Sequence, residues 1–321
     1  YKCMKLINKT NQDIIKNKNL NSKFLSANFE KLQINCKILK DDFYLDSYNY
    51  FPITKEYYTY REIFSWGEQY KYDNFYTNNF ENNFESQKNK FKELSDVTVL
   101  GSSSVDNYYR NIITFLPRIF FLKEKKIKLA IHRNLSNKFR NLILFLAKKL
   151  ELSIQFVFLD DGFYSFKHSQ IPQFLNNKVS IKILNNLRIY DSKKKEKIYL
   201  KRQNSTYRNI INEQDIIDMV KEKGFRIVDL NNLNILEQIK LFSNAETIIS
   251  PTSSGLTNII FCSSETNIIE ITPQYRFDYE KTFEFRYKYI CNQLGISYQK
   301  IEADPINLSG LKKSVTKIIS P

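Results

Sequence analysis

Thr247-Ile-Ile-Ser-Pro-Thr-Ser-Ser-Gly255 decides how the second half of this 321-residue chain is read. Thr247 to Ser250 is a short run suited to one buried strand. Pro251 to Gly255 is a turn of small and hydroxylated residues, and a helix resumes at Leu256. Working outward, the same alternation repeats. Upstream lie a strand over Ile198 to Lys201, a helix over Glu213 to Lys223 capped by Asn212 and closed by Gly224, a strand from Phe225 to Leu230 and a helix from Leu236 to Ser243. Downstream lie a strand over Ile268 to Ile271, a helix over Tyr279 to Leu294, a strand over Tyr298 to Ile301 and a last helix over Asn307 to Ile319. Strand and helix in alternation predict a parallel, doubly wound sheet.

The middle of the chain repeats the theme. Asp96 to Leu100 reads as a strand, followed by a Ser-rich turn and a helical stretch over Asn107 to Leu122 that Pro117 should kink or restart. Ile127 to Ile131 is a strand. Ser136 caps a helix over Asn137 to Leu150, with Phe139, Leu142, Leu146 and Leu150 on one face, and Ile154 to Leu159 is a strand opening into Asp160-Asp161-Gly162. The charge run Lys193 to Lys197 marks a boundary near 190. Residues 1 to 95 show no sustained period, although Tyr57 to Trp66 suits a strand or hairpin and Phe80 to Lys92 a solvated helix or loop.

Composition narrows the class. Hydrophobic residues at 42% and aromatics at 15% exclude a disordered chain, and 7 Gly with 7 Pro exclude a collagen-like one. The net charge of +15 favours anionic partners, yet only 11 of the 49 basic residues are Arg, the residue that reads phosphates and bases as a fork. Cys3, Cys36, Cys262 and Cys291 are too sparse for a disulfide scaffold and sit at no metal-ligand spacing, so no metal is expected. No apolar run reaches the roughly 20 residues of a membrane span.

In a doubly wound sheet, ligands bind beyond the carboxyl ends of the strands. Thr252, Ser253, Ser254 and Gly255 therefore form a candidate anion site, with free N–H groups, hydroxyls and a helix start in one place. Glu270, at the end of the next strand, could accept two hydrogen bonds from a ribose diol, and Arg202 or Arg208 could pair with a diphosphate. An ordinary Ser-rich cap, a strand-end Glu and surface Arg are the plain alternatives. No G-x-G-x-x-G, Walker loop or D-x-D pair occurs. In the first half, Asp106, Asp160 and Asp161 are strand-end carboxylates that could act as a base. His132 ends a strand, whereas His168 falls in a Tyr/Phe-rich turn.

Several segments, taken in order, resemble the family 61 glycosyltransferases. They are Asn107 to Arg118 (NYYRNIITFLPR), Tyr199 to Arg202 with Arg208 to Glu213, Leu236 to Phe242 (LEQIKLF), Ser250 to Asn258 with Phe261, and Ile268 to Pro273 (IIEITP). The family's two histidines stand here as Arg110 and Thr252, and its acidic residue as Thr114. The resemblance spans about 95 to 300. It implies an α/β, GT-B-like architecture of two Rossmann-like doubly wound domains facing a cleft, divided as 1–190, 191–305 and a closing helix over 306–321. It implies inverting, metal-independent transfer from a nucleotide sugar to a hydroxyl of a glycan or glycolipid in surface polysaccharide synthesis. The nucleotide sugar is the substrate and no cofactor is implied. Thr252, Ser253, Ser254, Gly255, Asn258 and Glu270 would hold the nucleotide, and Arg202 and Arg208 the diphosphate. Asn107, Tyr108 and Arg110 would line the acceptor side. Asp106 is the leading base, with Asp161 and His132 behind it. The expected location is cytoplasmic, with peripheral contact at the inner membrane surface through the Lys-rich exterior, including Lys123 to Lys128. The other readings are a non-catalytic nucleotide- or glycan-binding module and a basic nucleic-acid-binding protein; no motif supports specific nucleic-acid recognition.

Overall fold

The computed structural model describes residues 24–29, 34–48, 50–55, 86–101, 106–189, 195–202, 210, 212–273 and 285–303. The expected hairpin near Tyr57, the final helix over 307–319 and Arg208 lie outside them. The chain forms two compact units, Tyr1–Asn176 and Asn177–Pro321.

The second unit is the doubly wound half. Its strands are β9 (Glu196–Leu200), β10 (Arg226–Val228), β11 (Ala245–Pro251), β12 (Asn267–Pro273) and β13 (Ser297–Ala303), all parallel in the order β10-β9-β11-β12-β13. Helices α2 (Asn177–Asn185), α3 (Glu213–Glu222), α4 (Ile235–Ser243) and α5 (Arg286–Leu294) and a 3-10 segment over Ser254–Phe261 accompany them. The apolar stripe Ile216, Ile217, Met219 and Val220 buries α3 against Tyr199, Ile249, Ile269 and Ile301 of the sheet. Asn212 precedes α3 without a side-chain capping bond, whereas Asn234 and Glu237 form a full capping box on α4.

The first unit departs from the doubly wound expectation. Its eight-stranded sheet runs β1 (Phe24–Phe29), β2 (Ile34–Asp46), β8 (Phe163–Pro172), β5 (Thr98–Val99), β6 (Lys126–His132), β7 (Ser153–Leu159), with β3 (Phe51–Thr54) on β2 and β4 (Lys92–Ser95) on β8. Only β5, β6 and β7 keep the expected parallel order. β2 pairs antiparallel with β8, β1 and β3, so the described strands before residue 95, where the sequence showed no period, extend this sheet. Three residues join β7 to β8, yet β8 runs parallel to β5. So short a link spans about 14 Å at most and cannot carry the chain back down a flat sheet. The sheet therefore curls. Asp96 and His168, with φ of 56° and 46°, turn the adjacent strands together, joined by Asp96 N–H to the Lys167 carbonyl. His168 thus sits at a bend within β8, not in the expected turn.

Helix α1 (Asn137–Lys149) packs Phe139, Leu142 and Leu146 inward, as its spacing predicts, together with Ile143, whereas Leu150 falls just past its end and is half-buried, and Ser136 makes no side-chain cap bond. The stretch Tyr108–Phe121 is helical throughout but changes pitch twice, from an α turn (Tyr108–Arg110) through a π segment (Asn111–Phe115) to a 3-10 segment (Leu116–Phe121). The second change falls beside Pro117, which has no N–H to continue the ladder.

That change of pitch delivers Arg118 into the core, at 0% exposure. Its guanidinium donates to the carbonyls of Leu100 and Pro172 at 2.5–2.9 Å and to the Tyr50 hydroxyl at 2.9 Å, and lies 3.9 Å from the Phe174 ring centre. No carboxylate is among these partners. Burial pushes the Cys36 thiol up to about 11 even against the Arg118 charge. Gly101 closes the cluster: its φ is 76°, and a Cβ there would stand 1.6 Å from Tyr50 Cε2. Arg118→Met removes every donor and leaves buried carbonyls unpaired, so it should destabilise the first unit by about 3 kcal/mol or more. Urea unfolding checks this; a midpoint within error of wild type would show that the carbonyls find other donors. Gly101→Ala should be destabilised in the same assay, and Tyr50→Ala should partly rescue it by opening the space.

Candidate functional site

The order β10-β9-β11-β12-β13 reverses between β9 and β11, and the carboxyl ends of those two strands flank the crevice where such sheets take ligands. Lys201 and Arg202 follow β9; Thr252 and Ser253 follow β11. The structure brings these two ends together. Arg202 donates through its guanidinium to the Thr252 carbonyl, and its backbone N–H donates to Glu213 Oε1 at 2.9 Å. The Tyr199 hydroxyl shares that Glu213 oxygen at 3.1 Å. Burial and the neighbouring Glu213 hold the Tyr199 phenol far above its usual range. Glu213, the first residue of α3, thus fixes the strand end that carries Arg202.

The turn is anchored from below. Thr252 is buried, and its hydroxyl donates to Glu270 Oε1 at 2.6 Å. The Tyr298 hydroxyl donates to Glu270 Oε2 at 2.7 Å. Glu270 is 1% exposed and accepts two hydroxyl bonds, the geometry expected for a ribose diol, but here from the protein's own side chains. Burial first and the Glu270 charge second push the Cys291 thiol up to about 12. The Tyr287 hydroxyl donates to the Ser253 carbonyl at 2.6 Å. Asn258 is fully buried and donates to Gln238 Oε1 at 2.9 Å, while Gln238 Nε2 donates to the Leu230 and Leu233 carbonyls. Leu230 in turn lies where a Cβ on Gly255 would meet its Cδ1 at 2.5 Å, so a larger residue there would have to push the end of that side chain aside. Of the predicted donor-side residues, Thr252, Asn258 and Glu270 are therefore interior supports. Ser254 is exposed, and Ser253 and Gly255 are half-buried. Their hydroxyls and the first amides of the 3-10 segment are the groups the turn presents outward.

In the first unit the carboxyl ends of the parallel strands carry a second polar group. His132 ends β6 and is 2% exposed. Its Nδ1 accepts the Asn134 N–H at 3.1 Å, so the hydrogen-bond network assigns the proton to Nε2, which donates to Asp161 Oδ1 at 2.8 Å. Both ring nitrogens are engaged, and the imidazole orients the carboxylate. Asp161 itself is 56% exposed. Its neighbour Asp160 is clamped by Arg133, through Nε at 2.5 Å and Nη2 at 3.3 Å, and the Arg133 hydrogen bond holds its carboxyl below the usual range. Asp106 is exposed and accepts from Asn111 Nδ2 at 2.5 Å. Asn107 caps the helical stretch by accepting the Arg110 N–H at 3.0 Å. Tyr108 and Arg110 are half-buried, Arg110 beside the Phe115 ring. Asp106 with Asn111, and Asp161 with His132, are thus two separately held carboxylates on the first unit. His168, 77% exposed and facing Asp42, belongs to neither.

Sequence reasoning missed the roles of Glu213, Gln238, Tyr287 and Tyr298. Glu213 and Gln238 lay inside quoted motifs, but their partners are set only by packing. Tyr287 and Tyr298 lie 34 and 28 residues from the groups they bind, with no local pattern to mark them. Among the described residues no cluster of His, Cys, Asp and Glu could hold a metal ion, and no helix is long and apolar enough to cross a membrane.

Two comparisons with known proteins bear on this arrangement. No curated protein matches the chain. The family described as Glycosyltransferase 61 matches residues 108–269, just over half of the chain. The match begins on the helical stretch that carries Arg118 and ends one residue before Glu270, so it takes in the first unit's strand ends, Arg202 and the Thr252–Gly255 turn. The chain belongs to the glycosyltransferase 61 family.

Proposed function

We propose that the protein transfers a sugar from a nucleotide-sugar donor to a hydroxyl of a glycan or glycolipid, with inversion and without a metal ion, in surface polysaccharide synthesis. The observation that carries this reading is the meeting of Arg202 with the Thr252–Gly255 turn at the reversal point of the second unit's sheet. There a guanidinium, two outward hydroxyls and helix-start amides offer a diphosphate charge and hydrogen bonds without a cation. Glu270 acts from beneath, holding the turn through Thr252.

In the step, an acceptor oxygen attacks the anomeric carbon from the face opposite the leaving group. A new C–O bond forms, the old one breaks, and the nucleoside diphosphate departs with the bonding pair, its charge met by Arg202 and the turn. A carboxylate takes the acceptor proton. Asp106 is the first candidate because it is exposed and one oxygen is fixed by Asn111. Asp161 is the second, oriented by His132; Asp160 is committed to Arg133. The non-catalytic binding module shares the donor site and differs only in lacking the base.

Thermal shift against UDP, GDP, CMP, CDP, ADP and dTDP tests the donor site. One diphosphate at about 100 times its dissociation constant should stabilise the protein by roughly 2.7 kcal/mol. Arg202→Ala and Glu270→Ala should each abolish that shift. Silence from the whole panel would sink the donor reading. With the sugar nucleotide so identified, Asp106→Asn should lower the transfer rate by about 10²-fold or more while leaving the shift intact. Full transfer by Asp106→Asn would move the base to Asp161, and shift without transfer in the wild type would favour the binding module.

A further inference from the structure

We propose that the amino-terminal edge of the first unit's parallel strands is a docking surface for an anionic membrane leaflet, and that it holds the Asp161 end of those strands away from the bilayer. The second clause rests on the transfer reading above; the first stands without it.

Lys123, Lys125, Lys126 and Lys128 enter and begin β6, and all four are exposed. Lys148 and Lys149 close α1 and are also exposed. The fold joins the two groups. Ser153, which opens β7 just after α1, donates its N–H to the Lys125 carbonyl at 2.7 Å and pairs in register with Lys126. Six lysines therefore share one edge with two carboxylates, Glu124 and Glu151. Among the described residues none of the six is in an ion pair. The edge keeps a surplus of four positive charges, six lysines against two carboxylates, and Lys148 and Lys149 also suit the negative end of α1.

The chemistry of the edge favours lipid over nucleic acid. It holds no Arg, so it lacks the planar forks that grip phosphates and bases, and lysine point charges suit a fluid plane of headgroups. Apolar surface accompanies the charge. Leu144, one turn before Lys148 on α1, is 44% exposed, and the Phe145 ring lies under Lys149 Nζ at 4.9 Å. Lysines flanking an exposed leucine fit the boundary between headgroups and acyl chains.

The edge also sets a direction. His132 lies six residues along β6 from Lys126, about 20 Å at strand spacing. With the lysine edge on the leaflet, the carboxylate end points outward at roughly that height.

The test is flotation of the full chain with phosphatidylcholine vesicles that do or do not contain phosphatidylglycerol. Wild type should bind only the anionic vesicles and should leave them at high ionic strength. Lysine to glutamine at 123, 125, 126 and 128 together should weaken binding by roughly a hundredfold or more, at about fivefold per lysine. Lysine to glutamine at 197, 221, 223 and 240, on the second unit, removes the same charge and should change binding only a few-fold. No salt-sensitive binding to anionic vesicles, or equal losses in both variants, would overturn the proposal. So would loss of binding to a random duplex in the edge variant with vesicle binding unchanged, which would assign the edge to nucleic acid. If the edge variant fails to fold, Lys148→Gln with Lys149→Gln replaces it. An unchanged nucleotide shift in either edge variant separates failure here from failure of the donor site. For the orientation, a fluorophore on Leu144→Cys should be quenched by nitroxide-bearing lipid and one on Asn134→Cys should not. The reverse pattern would overturn the second clause.

Discussion

The first unit is organised around a positive charge with no negative partner among the described residues. Arg118 is buried completely, and its donors are met by the Leu100 and Pro172 carbonyls, the Tyr50 hydroxyl and the face of Phe174. The partners lie 18, 54 and 68 residues away in the chain, so one planar side chain fastens the end of β5, the end of β8 and the turn after β2. A guanidinium does this because its N–H groups diverge in a plane and can reach several carbonyls at once. The carbonyls need it equally, since a buried acceptor without a donor is expensive. The pitch change beside Pro117 and the left-handed Gly101, which leaves space for the Tyr50 ring, belong to the same arrangement.

The second unit supports its turn by a different route. Gln238 and Asn258 form a buried amide pair that ties the 3-10 segment to the chain around Leu230, and Glu270 ties Thr252 to Tyr298. In this chain several residues of the family pattern serve as scaffolding, and the groups turned outward are small: Ser253, Ser254, Gly255 and backbone amides. That division makes physical sense. Backbone donors held on a packed layer are already oriented when a ligand arrives, so little freedom is lost on binding. The two adjacent carboxylates of the first unit show the same economy. Asp160 is paired with Arg133, while Asp161 is aimed by the His132 ring and keeps most of its surface open.

Much of the second unit was legible in the sequence. Its strands and helices alternate with clear turn signals, and each helix carries one apolar stripe, as α3 does with Ile216, Ile217, Met219 and Val220. In the first unit, β6, α1 and β7 were legible for the same reason. The strands before residue 95 were not. β2 is buried through Cys36, Ile38, Leu39, Phe43 and Leu45, positions that change parity between Ile38 and Leu39, so no period of two survives along it. The bend at His168 depends on a single left-handed residue and leaves no pattern at all.

The sequence by itself determined the α/β character, the family, the strand ends where polar residues gather and the surplus of lysine. Those properties are local or additive: periodicity, turn residues, motif order and net charge can be read one segment at a time. Only the tertiary structure decided what each polar residue does. Glu270 became a buried clamp, His132 became the support of Asp161, and Arg118 became the centre of the first core, because hydrogen-bond partners tens of residues apart are chosen by packing. The curl of the first sheet is of the same kind. It is forced by a three-residue link between strands that lie far apart in the sheet order, and that constraint exists only once the strands have paired.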